Sequence, residues 1–324
     1  MTGPLPLRIE PPPGLPLWRE ADDRSRLRSF GVSVGAGLFW GGGCAVLGGW
    51  ITLGALRVVP FDLSGVRVPL PVFAMVGGIF AVAGLAIAAR ACADWLEERR
   101  AERIRRTVPD EPALADYPWD RESSRAAPWA GALRRTFWTG FLALFLAVPA
   151  GIFFNVETPL ILRVIIGALG LGVVWMVFLS AKAWWRAAKF GASSVRYSTF
   201  PLRPGGVVKL EWNAPTKRMR VEGGHFTLRA LEEKLVRTRA GGRGRVNRTR
   251  RQLWSARLSL TGPVELRPHE PHTLEFTVPA EVPGAWLGGG ETVVFWELCA
   301  ELELDGLDFR ECYLVPIYHA PRDV

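Results

Sequence analysis

Apolar residues are unevenly spread along the chain. Before residue 183 they crowd into four blocks, and after residue 191 they alternate with polar ones. A helix crossing the hydrocarbon core of a bilayer, ~30 Å thick, needs about 20 predominantly apolar residues. Segments 30–56, 72–89, 137–154 and 160–181 approach or exceed that length, and the only charge inside them is Arg163 in the last. They predict four transmembrane helices in two hairpins. The first carries Gly31, Gly35, Gly37 and Gly41, and the second Gly77 four residues before Ala81. Such spacings let helices approach closely where lipid supplies no hydrophobic drive, and they predict packing within the protein.

Beyond the second block, "ADWLEERRAERIRR" at 93–106 keeps helical spacing between Glu97 and Arg100 and between Glu102 and Arg106, so the helix is predicted to continue past the membrane. Pro109, Pro112, Pro118 and Pro128 then break it, and the stretch reads as a linker. Trp119 and Trp129 fall there, equally consistent with contact to the lipid surface and with an untethered loop.

Gly191 is the expected stop of the fourth helix. From there the period is twofold. Strands are predicted at 195–201, 207–212, 225–237, 252–260, 273–278, 292–304 and 309–317, separated by Pro, Gly and Asn clusters. Seven short strands without an intervening helix argue for an antiparallel sandwich. The last two form a hairpin about Asp305-Gly306, which sets Leu302 opposite Phe309, Glu301 opposite Arg310 and Cys299 opposite Cys312. Trp296, Leu298, Ala300 and Leu302 then face a core, and Glu297, Cys299, Glu301 and Glu303 face water.

Charge gives the helices a direction. The chain has a net charge of +9 and an isoelectric point near 9.9. Arg19, Arg24, Arg26 and Arg28 precede the first block, arginines fill both ends of the segment between blocks two and three, and Lys182, Arg186 and Lys189 follow the fourth. The opposite loops hold only Arg57 and Arg67, and "NVETP". The positive-inside rule therefore predicts a multi-pass protein of the inner (plasma) membrane with both termini cytoplasmic. The first block is not preceded by the short positive region of a cleaved signal peptide. The expected division is a cytoplasmic tail at 1–29, a first transmembrane hairpin at 30–90, a cytoplasmic linker at 91–136, a second hairpin at 137–190 and a cytoplasmic sandwich at 191–324. In a reducing compartment the facing Cys299 and Cys312 are expected to remain thiols, although their register permits a bridge.

The order "SSVRYSTFPLRPGG", "QLWSARLSL", "HTLEFTVPAEVPG", "VVFWELCAEL" and "DFRECYLVPIY" resembles arrestin-like β-sandwiches, in particular those at the C-terminus of four-span bacterial membrane proteins. The likeness covers the last 135 residues or so and implies a binding scaffold. The fold class is thus read as α+β: four transmembrane helices in two hairpins, then a soluble antiparallel sandwich of arrestin-like or immunoglobulin-like type.

Chemistry is sparse. No nucleophile-elbow, Walker, zincin or kinase pattern occurs. His269, Glu270 and His272 fall in "RPHEPH", which reads as a solvated turn lacking further ligands. Arg243, Arg245, Arg248, Arg250 and Arg251 form a basic loop suited to phosphate, anionic headgroups or an acidic partner. Without interleaved aromatics it ranks low for nucleic acid. Arg163 is an intramembrane charge close enough to the interface to snorkel, with Glu157 near it in sequence. The sequence thus predicts no catalytic residue, no metal and no cofactor. It reads as a non-enzymatic scaffold in the lipid bilayer with a cytoplasmic or membrane protein as partner. The alternative is a small channel or transporter regulated by its cytoplasmic domain.

Overall fold

A computed structural model describes residues 5–10, 34–59, 70–108, 111–154, 160–240, 243–287 and 292–319. Four long helices match the apolar blocks: α1 (Val34–Ala55), α2 (Leu70–Thr107), α4 (Pro128–Phe154) and α5 (Leu160–Phe190), with a short α3 (Pro112–Asp116) between the pairs. Among the described residues, Gly35–Ala55, Phe73–Thr107 and Arg163–Phe190 are long and apolar enough to cross a membrane. The apolar run of α4 continues into residues whose side chains lie outside the described set. Bare apolar side chains cover these helices, among them Phe39, Trp40, Leu85, Val164, Leu171 and Trp175.

The helical unit comprises Phe30–Arg99 and Trp129–Trp185. The α1–α2 seam is built on glycine. A Cβ on Gly41 would lie 2.7 Å from the Ala88 nitrogen, one on Gly48 would lie 2.5 Å from the Gly77 oxygen, and one on Gly84 would lie 2.5 Å from the Gly41 oxygen. Gly41 and Gly48, like Gly77 and Gly84, are seven residues apart, so each close approach recurs after two turns. Thr52 closes the seam: its hydroxyl donates to Gly48 O at 2.8 Å and to Ala74 O at 3.3 Å. The predicted packing within the protein is present, but of the first glycine set Gly41 belongs to this seam, whereas a Cβ on Gly35 would meet nothing within 4 Å. In the second pair, Thr139 and Ser180 hydroxyls meet at 3.0 Å, Trp184 Nε1 donates to Thr136 at 2.8 Å, and Trp129 packs edge-on against Trp184. Past the apolar part of α2, Arg90–Asp94 and Arg106–Glu102 pair one turn apart, as the predicted continuation requires. α5 ends at Phe190, and Gly191 takes φ +73° while its N–H returns to Ala187 O, a C-terminal glycine cap.

The second unit comprises Met1–Ser29, Arg100–Pro128 and Arg186–Val324, and its described strands form a β-sandwich. Its strands are β1 (Leu7–Glu10), β2 (Ser123–Arg125), β3 (Ser194–Tyr197), β4 (Gly206–Asn213), β5 (Met219–Val221), β6 (Gly223–Ala240), β7 (Arg243–Leu260), β8 (Val264–Leu266), β9 (Pro271–Val278), β10 (Thr292–Glu303) and β11 (Phe309–Val315). One antiparallel sheet runs β1-β7-β6-β10-β11, a second runs β2-β3-β4-β9, and β5 pairs with β8. All seven strands read from the alternation are present. The added strands are three or four residues long, too short to show a period.

The segments read as tail and linker contribute to this domain. β1 pairs with the end of β7, Leu7 opposite Leu260, and β2 pairs with β3, Ser124 opposite Val195. Trp119 is buried in the sandwich core and donates Nε1–H to the Tyr318 hydroxyl at 3.2 Å. Neither expectation for Trp119, lipid contact or free loop, holds. An indole left in water forfeits more apolar burial than any other side chain, and the sandwich supplies both a slot and an acceptor.

The two sheets share one core. Val208, Leu210 and Trp212 of β4 and Leu274 and Phe276 of β9 meet Phe226 and Leu228 of β6 and Leu298, Ala300 and Leu302 of β10. Trp212 packs against Phe226 and donates to the Tyr313 hydroxyl, which also bonds the Ser193 hydroxyl at 2.6 Å. Burial drives the Tyr313 phenol well above its ordinary range, so it stays protonated. The closing hairpin has the predicted register at each named pair, with Gly306 at φ +86° in its turn.

His272 is a departure. The predicted solvated turn "RPHEPH" has His269 at φ +56°, but His272 is the first inward residue of β9 and stacks on Trp212. Burial lowers its pKa below 6.5, and Glu270 at 3.9 Å opposes this only in part. The folded domain therefore keeps the ring neutral while the unfolded chain takes up a proton near pH 6.5. Stability from this site is complete above that pH and declines as pH falls through and below it. Thermal midpoints of the full chain between pH 7.5 and 5 are expected to drop more steeply for wild type than for His272→Phe. Parallel curves would exclude this residue as the cause.

Candidate functional site

The basic segment predicted as a loop continues the β6–β7 ladder. Arg243, Arg245 and Arg248 stand opposite Ala240, Thr238 and Leu235, and Arg250 and Arg251 stand opposite Glu233 and Glu232. The side chains of Arg243, Arg245 and Arg248 lie outside the described residues. Among the described residues the β6–β7 ladder outlasts the β6–β10 pairing, which reaches Thr292–Lys234, and the two strands run on as a ribbon. Arginine-rich composition reads as a loop, yet the backbone here keeps the antiparallel register of a ladder.

Arg250 belongs to the fold as well as to the ribbon. Its guanidinium is 3.6 Å from the fully buried Glu233 carboxylate and lies over the Phe295 ring. A charge in that position offsets the desolvation of Glu233. Arg251 is the exposed member of the described pair. The five arginines are therefore not one equivalent patch. Arg163 sits in the first turn of α5 and is exposed on the helix surface, while Glu157 lies outside the described residues.

The outer face of the five-stranded sheet is the best-built polar cluster. Cross-strand register brings His225, Glu301 and Arg310 into one row, and Arg229 and Glu297 into a second, with Thr227, Cys299 and Cys312 in the row between them. Arg310 donates to Glu301 at 2.8 Å. Burial alone would raise the Glu301 pKa, but the Arg310 hydrogen bond and the charges of Arg310, His225 and Arg229 bring it below the usual carboxylate value. Glu297 was expected to face water. It is 6% exposed, because Arg229 lies over it and donates Nε–H to Oε1 at 2.7 Å. Cys299 is 2% exposed, its Sγ 3.8 Å from the same oxygen. The predicted Cys299–Cys312 register is present, with Cα atoms 4.1 Å apart, and the two sulfurs are bonded where thiols were expected. The juxtaposition follows from the ladder alone, whereas the oxidation state depends on the compartment.

An open pocket of about 410 Å³ lies where the antiparallel β2–β3 pair meets the segment after β3, lined by Arg121, Glu122, Arg196, Tyr197, Thr199 and Phe200 among others. Both arginines already hold carboxylates: Arg121 bonds Glu111 at 2.9 Å, and Arg196 lies 3.9 Å from Glu211. The sequence carried no cue to this pocket, because Arg121 and Arg196 are 75 positions apart and meet only through β2–β3 pairing.

No family model matches the chain, and no curated protein does. Among solved structures, the sporulation control protein Spo0M from Bacillus subtilis aligns at 15% identity over 38% of this chain and 47% of that one, with a TM-score of 0.27. The chain thus spans about half of that protein's length.

Proposed function

We propose that the protein is a four-span integral membrane scaffold that presents its β-domain to the cytoplasm as an interaction module. The observation that carries this reading is the composition of the domain. Three stretches of chain, one before α1, one between α2 and α4 and one after α5, build a single sandwich. Each is separated from the next by one pair of apolar helices. If the helices cross a bilayer, a shared domain requires each pair to go out and return, so all three stretches lie on one face. The arginine-rich flanks assign that face to the cytoplasm. The exposed apolar side chains of the helices suit lipid contact. The arrestin-like order of the strands supports a non-enzymatic binding role, and β9, the outer strand of its sheet, offers a backbone edge of the kind that accepts a partner strand. The anticipated partner is a cytoplasmic or membrane protein, with the exposed Arg251 suited to anionic headgroups.

The orientation is tested with the full chain in bacterial membranes. Protease added to inverted vesicles is expected to digest the β-domain and leave the helices, while intact spheroplasts protect it. The reverse pattern, or protection in both preparations, would overturn the proposal.

A further inference from the structure

Glu297, Cys299 and Cys312 form a constellation that the scaffold role does not use. Each offers one ligand atom, and the three atoms lie within 4.8 Å of one another. We propose that, once the disulfide is reduced, these three side chains bind a thiophilic divalent cation of the zinc class.

The spacing suits such an ion. Tetrahedral zinc with bonds of about 2.3 Å to sulfur and about 2.0–2.2 Å to oxygen sets its ligand atoms roughly 3.5–3.8 Å apart. Cys299 Sγ and Glu297 Oε1 are already 3.8 Å apart. The backbone keeps this arrangement: Glu297 and Cys299 are alternate residues of β10 and share its face, and Cys312 is the direct partner of Cys299 on β11. Opening the sulfur–sulfur bond therefore leaves two thiols held side by side by a ladder of seven residue pairs.

The charges also balance. Two thiolates, one carboxylate and one dication carry a net charge of −1. Arg229, hydrogen-bonded to Glu297 Oε1, supplies +1 and makes the buried assembly neutral. The guanidinium thus fixes the orientation of this carboxylate, as outer-shell partners of metal-bound carboxylates do. Three protein ligands leave a fourth position, on the side where Cys312 is only partly buried, for water or an exchangeable group.

Metal binding and the disulfide exclude one another. A small thiol reductant delivers two electrons and two protons to the bond and itself ends as a disulfide. The two Cys S–H protons then leave as the ion binds. With the bond intact, neither sulfur is a thiolate and the site is closed.

The test uses the full chain in detergent with Cys44→Ser and Cys92→Ser, so that no other cysteine contributes. Protein reduced with a phosphine, freed of reductant and titrated anaerobically with Cd²⁺ should develop sulfur-to-metal charge-transfer absorbance that saturates at about one equivalent per chain. The same protein left oxidised should develop none, a comparison that needs no further substitution. Cys299→Ser should lose the absorbance, and Glu297→Gln should weaken binding about tenfold. Equal absorbance from oxidised and reduced protein, no absorbance from reduced protein, or an unchanged affinity in Glu297→Gln would each overturn the proposal. None of these readouts depends on which side of a membrane the domain occupies.

Discussion

Gly48→Val is expected to open the α1–α2 hairpin, whereas Gly49→Val, one residue on, should leave it closed. A Cβ at position 48 would lie 2.5 Å from the Gly77 oxygen, and the obstructing atoms there are backbone. Backbone cannot swing aside as a flexible side chain can, so the helices must separate along the whole seam. Separation also withdraws Thr52 from Ala74 O and loosens the approach one heptad away at Gly41 and Gly84. Overpacking costs about 1–3 kcal/mol where a core can adjust, and this site stands at the upper end or beyond it. At Gly49 an added Cβ meets nothing within 4 Å. Both substitutions exchange glycine for the same β-branched residue in the same helix, so helix propensity cancels from the comparison. Thermal unfolding of the full chain in detergent should show a midpoint for Gly48→Val lower by roughly 10 °C. Similar midpoints for the two variants would refute the glycine seam.

The seam illustrates what a sequence can disclose. Glycines in an uncharged apolar run announce close packing, but which of them take part depends on the rotation of each helix against its neighbour. Of the GxxxG pairs at the start of the first block only Gly41 is shown in the contact, whose other close approaches fall on Gly48, Gly77 and Gly84. Four-residue steps from glycine to alanine, among them the predicted Gly77–Ala81, also line the seam, because Ala81 lies against Gly48 and Ala88 against Gly41.

The sandwich was legible where strands were long and one-sided. The β10–β11 hairpin followed from alternation and one Asp-Gly turn down to individual residue pairs, because a slip by one residue would exchange Trp296, Leu298 and Ala300 for their polar neighbours. Two features of the cluster at Glu297 were not legible. Alternation shows which side chains leave the core, but not whether they reach water, and here Arg229 from the adjacent strand covers the carboxylate. The ribbon at Arg243–Arg251 differs from its expected loop for the opposite reason: its charges suggest solvent, although strand pairing is made by the backbone, whatever the side chains carry.

Trp119→Ala is expected to destabilise the β-domain strongly. The residue lies between the two helix pairs in sequence, where proline punctuation gives no sign of a folded role, yet its ring packs with Tyr117 and Tyr318 inside the sandwich. Truncating a buried tryptophan costs about 3–5 kcal/mol, and the Tyr318 hydroxyl loses a donor as well. A single domain has only about 5–15 kcal/mol of stability to lose. Trp129→Ala serves as the control: that ring is exposed and packs edge-on against Trp184 in the helical unit, so the β-domain should change by no more than about 0.5 kcal/mol. Brief proteolysis of the full chain across a urea series, following loss of the β-domain fragment, measures both. The same reasoning predicts that residues 191–324 expressed alone are incomplete, because they lack Trp119, β1 and β2 and expose the edges of β7 and β3. Such a fragment should be more easily cleaved than the domain within the whole chain. If it resists protease equally well, and Trp119→Ala shifts the urea midpoint no more than Trp129→Ala, the segment between the helix pairs is a passenger on the sandwich and not part of it.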